Sequence, residues 1–308
     1  MDQIRIFSPA TIANVSCGYD AMAFALQDLG EEMTFRKIDT PGVRITKITG
    51  TELPYEVHKN AAGVVALAML KDSGATFGVE IEIWKEYKPG SGLGSSAASS
   101  AGAAFGVNKL LGEPYSKLEL LGYAMMGEEV ACGSPIADNV AAALYGGFVL
   151  IRSYDPLEVI SIPTPKDLMM YILHPQIEVK TEDARRVVPT EIPIKTAVAQ
   201  WANVGGLISG LYTSDYDLIG RSMKDYVAEP YRKQFIPHFD ELKEVATKAG
   251  ALGMGIAGSG PSVFAFTKGL KTAGDVGLAF VEVYEKTNIE YNVYVSGISK
   301  DGVRIIKD

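Results

Sequence analysis

The chain is poor in cysteine and histidine. Its 308 residues hold two cysteines, Cys17 and Cys132, and three scattered histidines, His58, His174 and His238. Two thiols cannot build a disulfide framework. No His or Cys pair stands at metal-ligand spacing, which argues against a structural zinc site. Basic excess is absent as well: 29 Lys and Arg against 37 Asp and Glu leave a net charge of −8. That balance disfavours nucleic acid and anionic membrane surfaces as partners. No apolar run approaches the ~20 residues that span a bilayer. The start, Met1-Asp2-Gln3-Ile4-Arg5, lacks the basic and apolar regions of a signal peptide. Repeats and low-complexity tracts are missing too. The expectation is a soluble cytoplasmic protein whose thiols stay reduced.

What the chain has is core material and glycine. A hydrophobic content of 47 % and a charged content of 21 % suit a globular chain of roughly two domains. The most telling glycines lie in Pro89-Gly90-Ser91-Gly92-Leu93-Gly94-Ser95-Ser96-Ala97-Ala98-Ser99. Here the chain adopts conformations that a Cβ obstructs, then enters a helix of Ala, Ser and Gly through Leu111. Ser95 and Ser96 supply hydroxyls where an N-cap is expected. Free N–H groups and the helix dipole make such a turn a phosphate site. It is not a Walker A loop, because no Gly-Lys-Ser/Thr closes it. The plainer reading is a capped helix after a flexible turn.

Local patterns predict strands over 3–8, 32–38, 43–48, 79–87, 148–152, 169–173, 263–266 and 290–296. Helices are predicted over 60–71, 116–131, 138–144, 181–188, 195–213, 217–227, 239–249 and 273–285. Ser8-Pro9 should end the first strand, and Ser116 with Glu119 forms a capping box. Pro156, Pro163 and Pro165 mark a looser stretch, dividing the chain into 1–160 and 161–308. The mixture indicates α+β in two lobes.

Four further segments carry polar residues that a fold does not obviously need. After the first strand, Asn14 and Asp20 can reach a polar ligand, Asp20 pairing an ammonium group; an Asx-rich turn is the alternative. Glu128 or Glu129, on a helix facing the glycine loop, suits magnesium, with the other exposed. Arg185 with Arg186, and Arg232 in Glu229-Pro230-Tyr231-Arg232, suit a carboxylate clamp, although Arg186 reads as a surface charge. Gly253-Met-Gly255-Ile-Ala-Gly258 matches a dinucleotide fingerprint in the wrong context, since it precedes a strand. A loop packed beside the phosphate loop fits it better.

Three motifs in order, PATIANVSCGYD, PGSGLGSSAASSA and GIAGSGPSVFAF, resemble those of the galactokinase, homoserine kinase, mevalonate kinase and phosphomevalonate kinase superfamily. Within it, Asn14…Asp20, ADNVAAALYGG, TEDARRVVP and EPYR are similar to the homoserine kinases. The resemblance implies an N-terminal lobe with a left-handed β-α-β unit and a ferredoxin-like C-terminal lobe. It implies transfer of the ATP γ-phosphate to the side-chain hydroxyl of L-homoserine, with Mg²⁺, in threonine biosynthesis, by a homodimer. Carried over, Asn14 and Asp20 hold the ammonium end, while Arg185 and Arg232 clamp the carboxylate. Pro89 to Ser99 wrap the triphosphate, through Pro89, Gly90, Ser91, Gly92, Leu93, Gly94, Ser95, Ser96, Ala97 and Ser99. Ser96 and Glu128 attend the metal, and Thr181 lies near the transferred phosphate. Asn139 orients the hydroxyl, and Asn60 contacts the base. Asp138, its neighbour on a helix, is expected to point elsewhere. Ile136 stands where the family often has His, and Cys17 where Pro or Gly is usual. A mevalonate or sugar kinase, and a catalytically silent ligand sensor, remain as alternatives.

Overall fold

The computed structural model describes residues 1–306, apart from the Thr181 side chain. β1 (Gln3–Ala13) and β2 (Met22–Ile38) pair antiparallel, from Gln3↔Arg36 to Ala13↔Ala23. The first strand does not end at Pro9 as predicted. The register shifts between Pro9, which still pairs with Gly30, and Thr11; Ala10 is left out of the ladder and the strand resumes to Ala13. That extension carries Thr11 and Asn14 toward the glycine loop.

β3 (Gly42–Thr49), α1 (Ala61–Asp72) and β4 (Gly78–Lys85) form a crossover unit, with β3 and β4 parallel. α2 (Ser95–Leu111), α3 (Lys117–Cys132) and α4 (Asp138–Tyr145) follow. The Ser116–Glu119 capping box of α3 is present as predicted. α2 lies on the sheet through small residues: a Cβ at Gly106 would run into the Phe35 ring. Ile6, Met33, Phe35 and Ile81 of the sheet share one core with Val65, Ala101, Leu121 and Val140 of the helices. β5 (Phe148–Tyr154) and β6 (Leu157–Ile162) form a hairpin that joins the start of β2, so the proline-marked stretch is partly ordered sheet.

A second, four-stranded antiparallel sheet begins with β7 (Leu168–Pro175). Five helices come next: α5 (Thr181–Arg186), α6 (Ile194–Thr213), α7 (Tyr216–Ser222), α8 (Glu229–Arg232) and α9 (Phe239–Lys248). β8 (Gly253–Ile256), β9 (Val263–Lys268), α10 (Leu270–Tyr284) and β10 (Tyr291–Gly297) complete it. The strand order β10-β7-β9-β8 is that of a ferredoxin-like β-α-β-β-α-β path. β8 was not predicted, because Gly253 and Gly255 disguise a strand of only four residues. β11 (Arg304–Ile305) returns to the edge of the first sheet beside β1. Among the described residues no helix is long and apolar enough to cross a membrane.

Candidate active site

The first sheet, α5, α8 and the loop between β8 and β9 all reach one cavity of about 380 Å³. Its lining includes Asn14, Asp20, Asn60, the glycine loop, Glu128, Asp138, Asn139, Arg185 and Arg232. These come from positions up to 218 residues apart in sequence, counting from Asn14 to Arg232.

The glycine loop forms one end. Gly90, Gly92 and Gly94 have φ of 75°, 80° and 63°, in the left-handed region. Ser91 accepts a hydrogen bond from the Ser262 hydroxyl at 2.6 Å, and a Cβ on Gly92 would strike the carbonyl of Ala257. The second glycine-rich loop, between β8 and β9, therefore backs the first. The N-cap of α2 is Gly94 rather than a serine. Ser95 turns inward instead, where its hydroxyl accepts from Lys85 Nζ at 3.0 Å. Lys85 also donates to the Ser95 carbonyl and the Ser99 hydroxyl, both at 2.9 Å, and forms a buried ion pair with Glu31. Leu93 and Ala97 have buried side chains outside the cavity lining. The first turn of α2 thus presents main-chain N–H groups to the cavity, with a buried cation beneath it.

Glu128 is buried on α3, whereas Glu129 is exposed. Among the described residues, Glu128 Oε1 has no hydrogen-bond partner. Burial pushes the carboxyl up to about 7, against the hydrogen bond of the Ser96 hydroxyl, which lowers it. A buried, orphaned carboxylate oxygen beside a hydroxyl and a phosphate loop fits Mg²⁺, which prefers one or two carboxylates plus phosphate oxygens. Among the described residues no cluster of three or more His, Cys, Asp and Glu side chains stands ready to hold a metal alone. Cys132, on the same wall, has its thiol pushed up to about 11 by burial and is no nucleophile.

Asn139 and Asp138 both border the cavity. The expectation that Asp138 points elsewhere is wrong because it opens α4. In a first turn a carboxylate folds back over free N–H groups, and Asp138 accepts from Asn139 N at 2.6 Å. Its carboxyl is pushed up to about 7, by burial first and by the charge of Asp20 next. Asn139 Oδ1 accepts from the Thr11 hydroxyl at 2.8 Å.

The far end is charged. Arg185 Nη2 meets Asp20 Oδ1 at 2.9 Å, so these two stand together and not at opposite ends of a pocket. Asn14 sits behind them: its amide donates to the Gly258 carbonyl at 2.8 Å and its Oδ1 accepts from Asp20 N at 3.0 Å. Arg232 is 3 % exposed. Its guanidinium donates to the carbonyls of Ala184 and Gly258, at 2.9 and 3.0 Å, and to the Tyr19 hydroxyl at 3.4 Å. Asn60 caps α1, accepting from Ala62 N and Gly63 N. Thr181 opens α5, and its side chain lies outside the described ones.

Sequence reasoning missed Thr11, Tyr19 and the Lys85–Glu31 pair. Residue types gave no signal for the pair, because β2 also carries Asp28, Glu32, Arg36 and Lys37, and β4 also carries Glu80 and Glu82. Nothing local announces Thr11, which reads as an ordinary strand residue.

Comparison with known proteins agrees with this architecture. The GHMP kinases N terminal domain matches residues 58–147, and the GHMP kinases C terminal domain matches 207–286. A homoserine kinase of Chlorobium phaeobacteroides is 46 % identical, the match covering 99 % of this chain and 100 % of the relative. One from Methanococcus vannielii is 43 % identical over 92 % of this chain and 94 % of its own. The crystal structure of homoserine kinase from Cytophaga hutchinsonii superposes with a TM-score of 0.95 at 48 % identity, covering 99 % and 98 % of the two chains.

Proposed function

Because the chain belongs to the homoserine kinases of the GHMP kinase family, we propose that this cavity moves the ATP γ-phosphate onto the side-chain hydroxyl of L-homoserine in the following way. The triphosphate lies along Gly90–Ser96, held by main-chain N–H groups at the start of α2. Glu128 and Ser96 hold Mg²⁺, which when bound offsets charge on the phosphate oxygens. The hydroxyl oxygen bonds to the γ-phosphorus while the β–γ bridging bond breaks, and ADP leaves. The hydroxyl proton passes to a phosphoryl oxygen of the product and on to solvent. Little covalent work is asked of the protein in such a transfer, so alignment and charge neutralisation dominate. Asn139 supplies alignment at the reacting oxygen.

Arg232 is the observation that carries the substrate reading. A buried guanidinium whose hydrogen-bond partners among the described residues are all neutral oxygens is costly to keep. An incoming carboxylate pairs it. The ammonium end faces Asp20 and Asp138, two carboxyls close enough that Asp20 raises the other's proton affinity. A cation between them relieves that repulsion. Arg185, already paired with Asp20, spans both groups of the zwitterion, and Asn14 positions Asp20 from behind. Mevalonate and galactose carry no ammonium, which leaves the two carboxyls unrelieved.

An ADP-release assay tests this: turnover is expected with L-homoserine and not with mevalonate or galactose. ADP formation with mevalonate and none with homoserine defeats the reading.

We also propose that two copies associate through α6. Ile194, Val198, Trp201 and Tyr212 are exposed along one face, and Lys195 is the only charged residue in the helix. In a chain of net charge −8 this is a face where a second copy approaches without acid opposing acid. Gly205, with open space beyond it, is a notch between the two aromatic side chains, a self-complementary shape for a two-fold contact.

A further inference from the structure

Thr11 is 0 % exposed, and among the described residues its side chain makes one polar contact, the 2.8 Å hydrogen bond to Asn139 Oδ1. A reversed amide would turn Nδ2 to the hydroxyl, which can accept, but it would leave the buried hydroxyl hydrogen with no acceptor among the described residues; with Oδ1 in place that hydrogen is used. The other end of the carboxamide, Asn139 Nδ2, has no protein partner among the described residues, and Asn139 borders the cavity. The amide therefore turns its two N–H groups toward the ligand and its oxygen away.

From this we infer that Thr11 is a positioning residue for phosphoryl transfer, locking Asn139 as a hydrogen-bond donor at the reacting centre. The inference rests on the reading of Asn139 given above, and goes beyond it by fixing which end of the side chain does the work.

Three further observations support it. Gly94 closes over the pair: a Cβ there would collide with Thr11 Oγ1 and stand 3.1 Å from Asn139 Oδ1, so the residue that caps α2 also shields the hydrogen bond. Thr11 N donates to the Leu93 carbonyl at 3.1 Å, which ties the same residue to the glycine loop. The register of β1 shifts just before Thr11, where the strand reaches that loop. One residue thus joins β1, the glycine loop and α4.

The chemical consequence follows from where charge gathers. Negative charge resides on the phosphoryl oxygens throughout the transfer, and donors aimed at it stabilise the transition state. Were the amide reversed, its oxygen would face those oxygens and repel them. A donor-only Asn139 also cannot take the hydroxyl proton. That agrees with attack by the hydroxyl itself, without a base at this position.

Thr11→Val keeps the shape and removes the hydroxyl, so either end of the Asn139 amide can face the cavity. A fall of about tenfold or more in kcat is expected, with KM for ATP and homoserine within about twofold. Thr11→Ser keeps the donor and is expected to restore most of the rate. In the Asn139→Ala background Thr11→Val should add little, because nothing is left to orient. A kcat within about twofold of wild type for Thr11→Val, or an undiminished effect in the Asn139→Ala background, overturns the proposal. The side-chain amide signals of Asn139 in ¹⁵N spectra, assigned by their loss in Asn139→Ala, should shift in Thr11→Val and not in Thr11→Ser. Identical signals in all three proteins overturn it even if homoserine is not the acceptor. Should Thr11→Val fail to fold, a Thr11→Ser enzyme with an about tenfold lower kcat would contradict the lock equally.

Discussion

The two ends of the cavity are built on different principles. The phosphate end is made of backbone: three glycines in the left-handed region, a first helical turn, and side chains that mostly face inward. The amino-acid end is made of side chains from distant segments, where Asp20 pairs with Arg185 and Arg232 rests on carbonyls. Its loop is strained, with Asn14, Val15, Ser16 and Asp20 at φ of 71°, 43°, 63° and 53°. A backbone cradle recognises phosphate whatever the side chains do, provided the chain can take its path. A side-chain pocket recognises one molecule and is lost one residue at a time.

The largest effect should come from the backbone end. Gly94→Ala places a Cβ against Thr11 in a conformation that L residues resist. Misalignment of this order is expected to cost about a hundredfold in kcat, with a lowered thermal midpoint. A fully active Gly94→Ala enzyme would show that the loop moves freely. Next comes Arg232→Ala. Loss of a charge-assisted pair is worth about 1.5–3 kcal/mol, so the homoserine KM should rise roughly 10- to 150-fold while the ATP KM holds. Equal rises in both would erase the division between the two ends.

A smaller effect concerns pH. Glu128 and Asp138 both sit near 7 in the folded protein, well above ordinary carboxyls, because burial disfavours their charge. The folded state then binds more protons than the unfolded one between about pH 4.5 and 7. Without ligands, stability should fall as pH rises through that window, and thermal melts from pH 5 to 8 check it. A midpoint that climbs over the range contradicts the burial of these groups. The smallest kinetic effect should be Ser99→Ala, which removes one of the acceptors of Lys85. A drop of about 1 kcal/mol in stability with unchanged ATP KM is expected. A tenfold rise in that KM would give the hydroxyl a place in nucleotide binding.

The same division explains what the sequence made legible. The glycine loop is contiguous, so its residue types and spacing announced it, and the Ser116 capping box needs only four residues to be seen. The Asp20–Arg185 contact joins residues 165 apart, and only the folded chain shows that they neutralise each other. Lys85 and Glu31 meet through strand register, with Glu31 opposite Lys85 on neighbouring strands. Asn60 teaches the converse: the sequence places it within the helix over 60–71, whereas it stands just before α1 and its Oδ1 is used as the cap. Asp138 was misplaced because two neighbours at the very start of α4 can both border one cavity, although their side chains leave the helix in different directions.

The central claim is that a buried guanidinium awaits a carboxylate at the end opposite the phosphate cradle. It is tested most directly by the ratio of kcat/KM for L-homoserine to that for 3-aminopropan-1-ol, which is homoserine without its carboxylate. The ratio should be large in the wild-type enzyme and collapse toward one in Arg232→Ala. The same ratio in both enzymes would mean that Arg232 does not read the carboxylate, and the assignment of the cavity's two ends would be wrong.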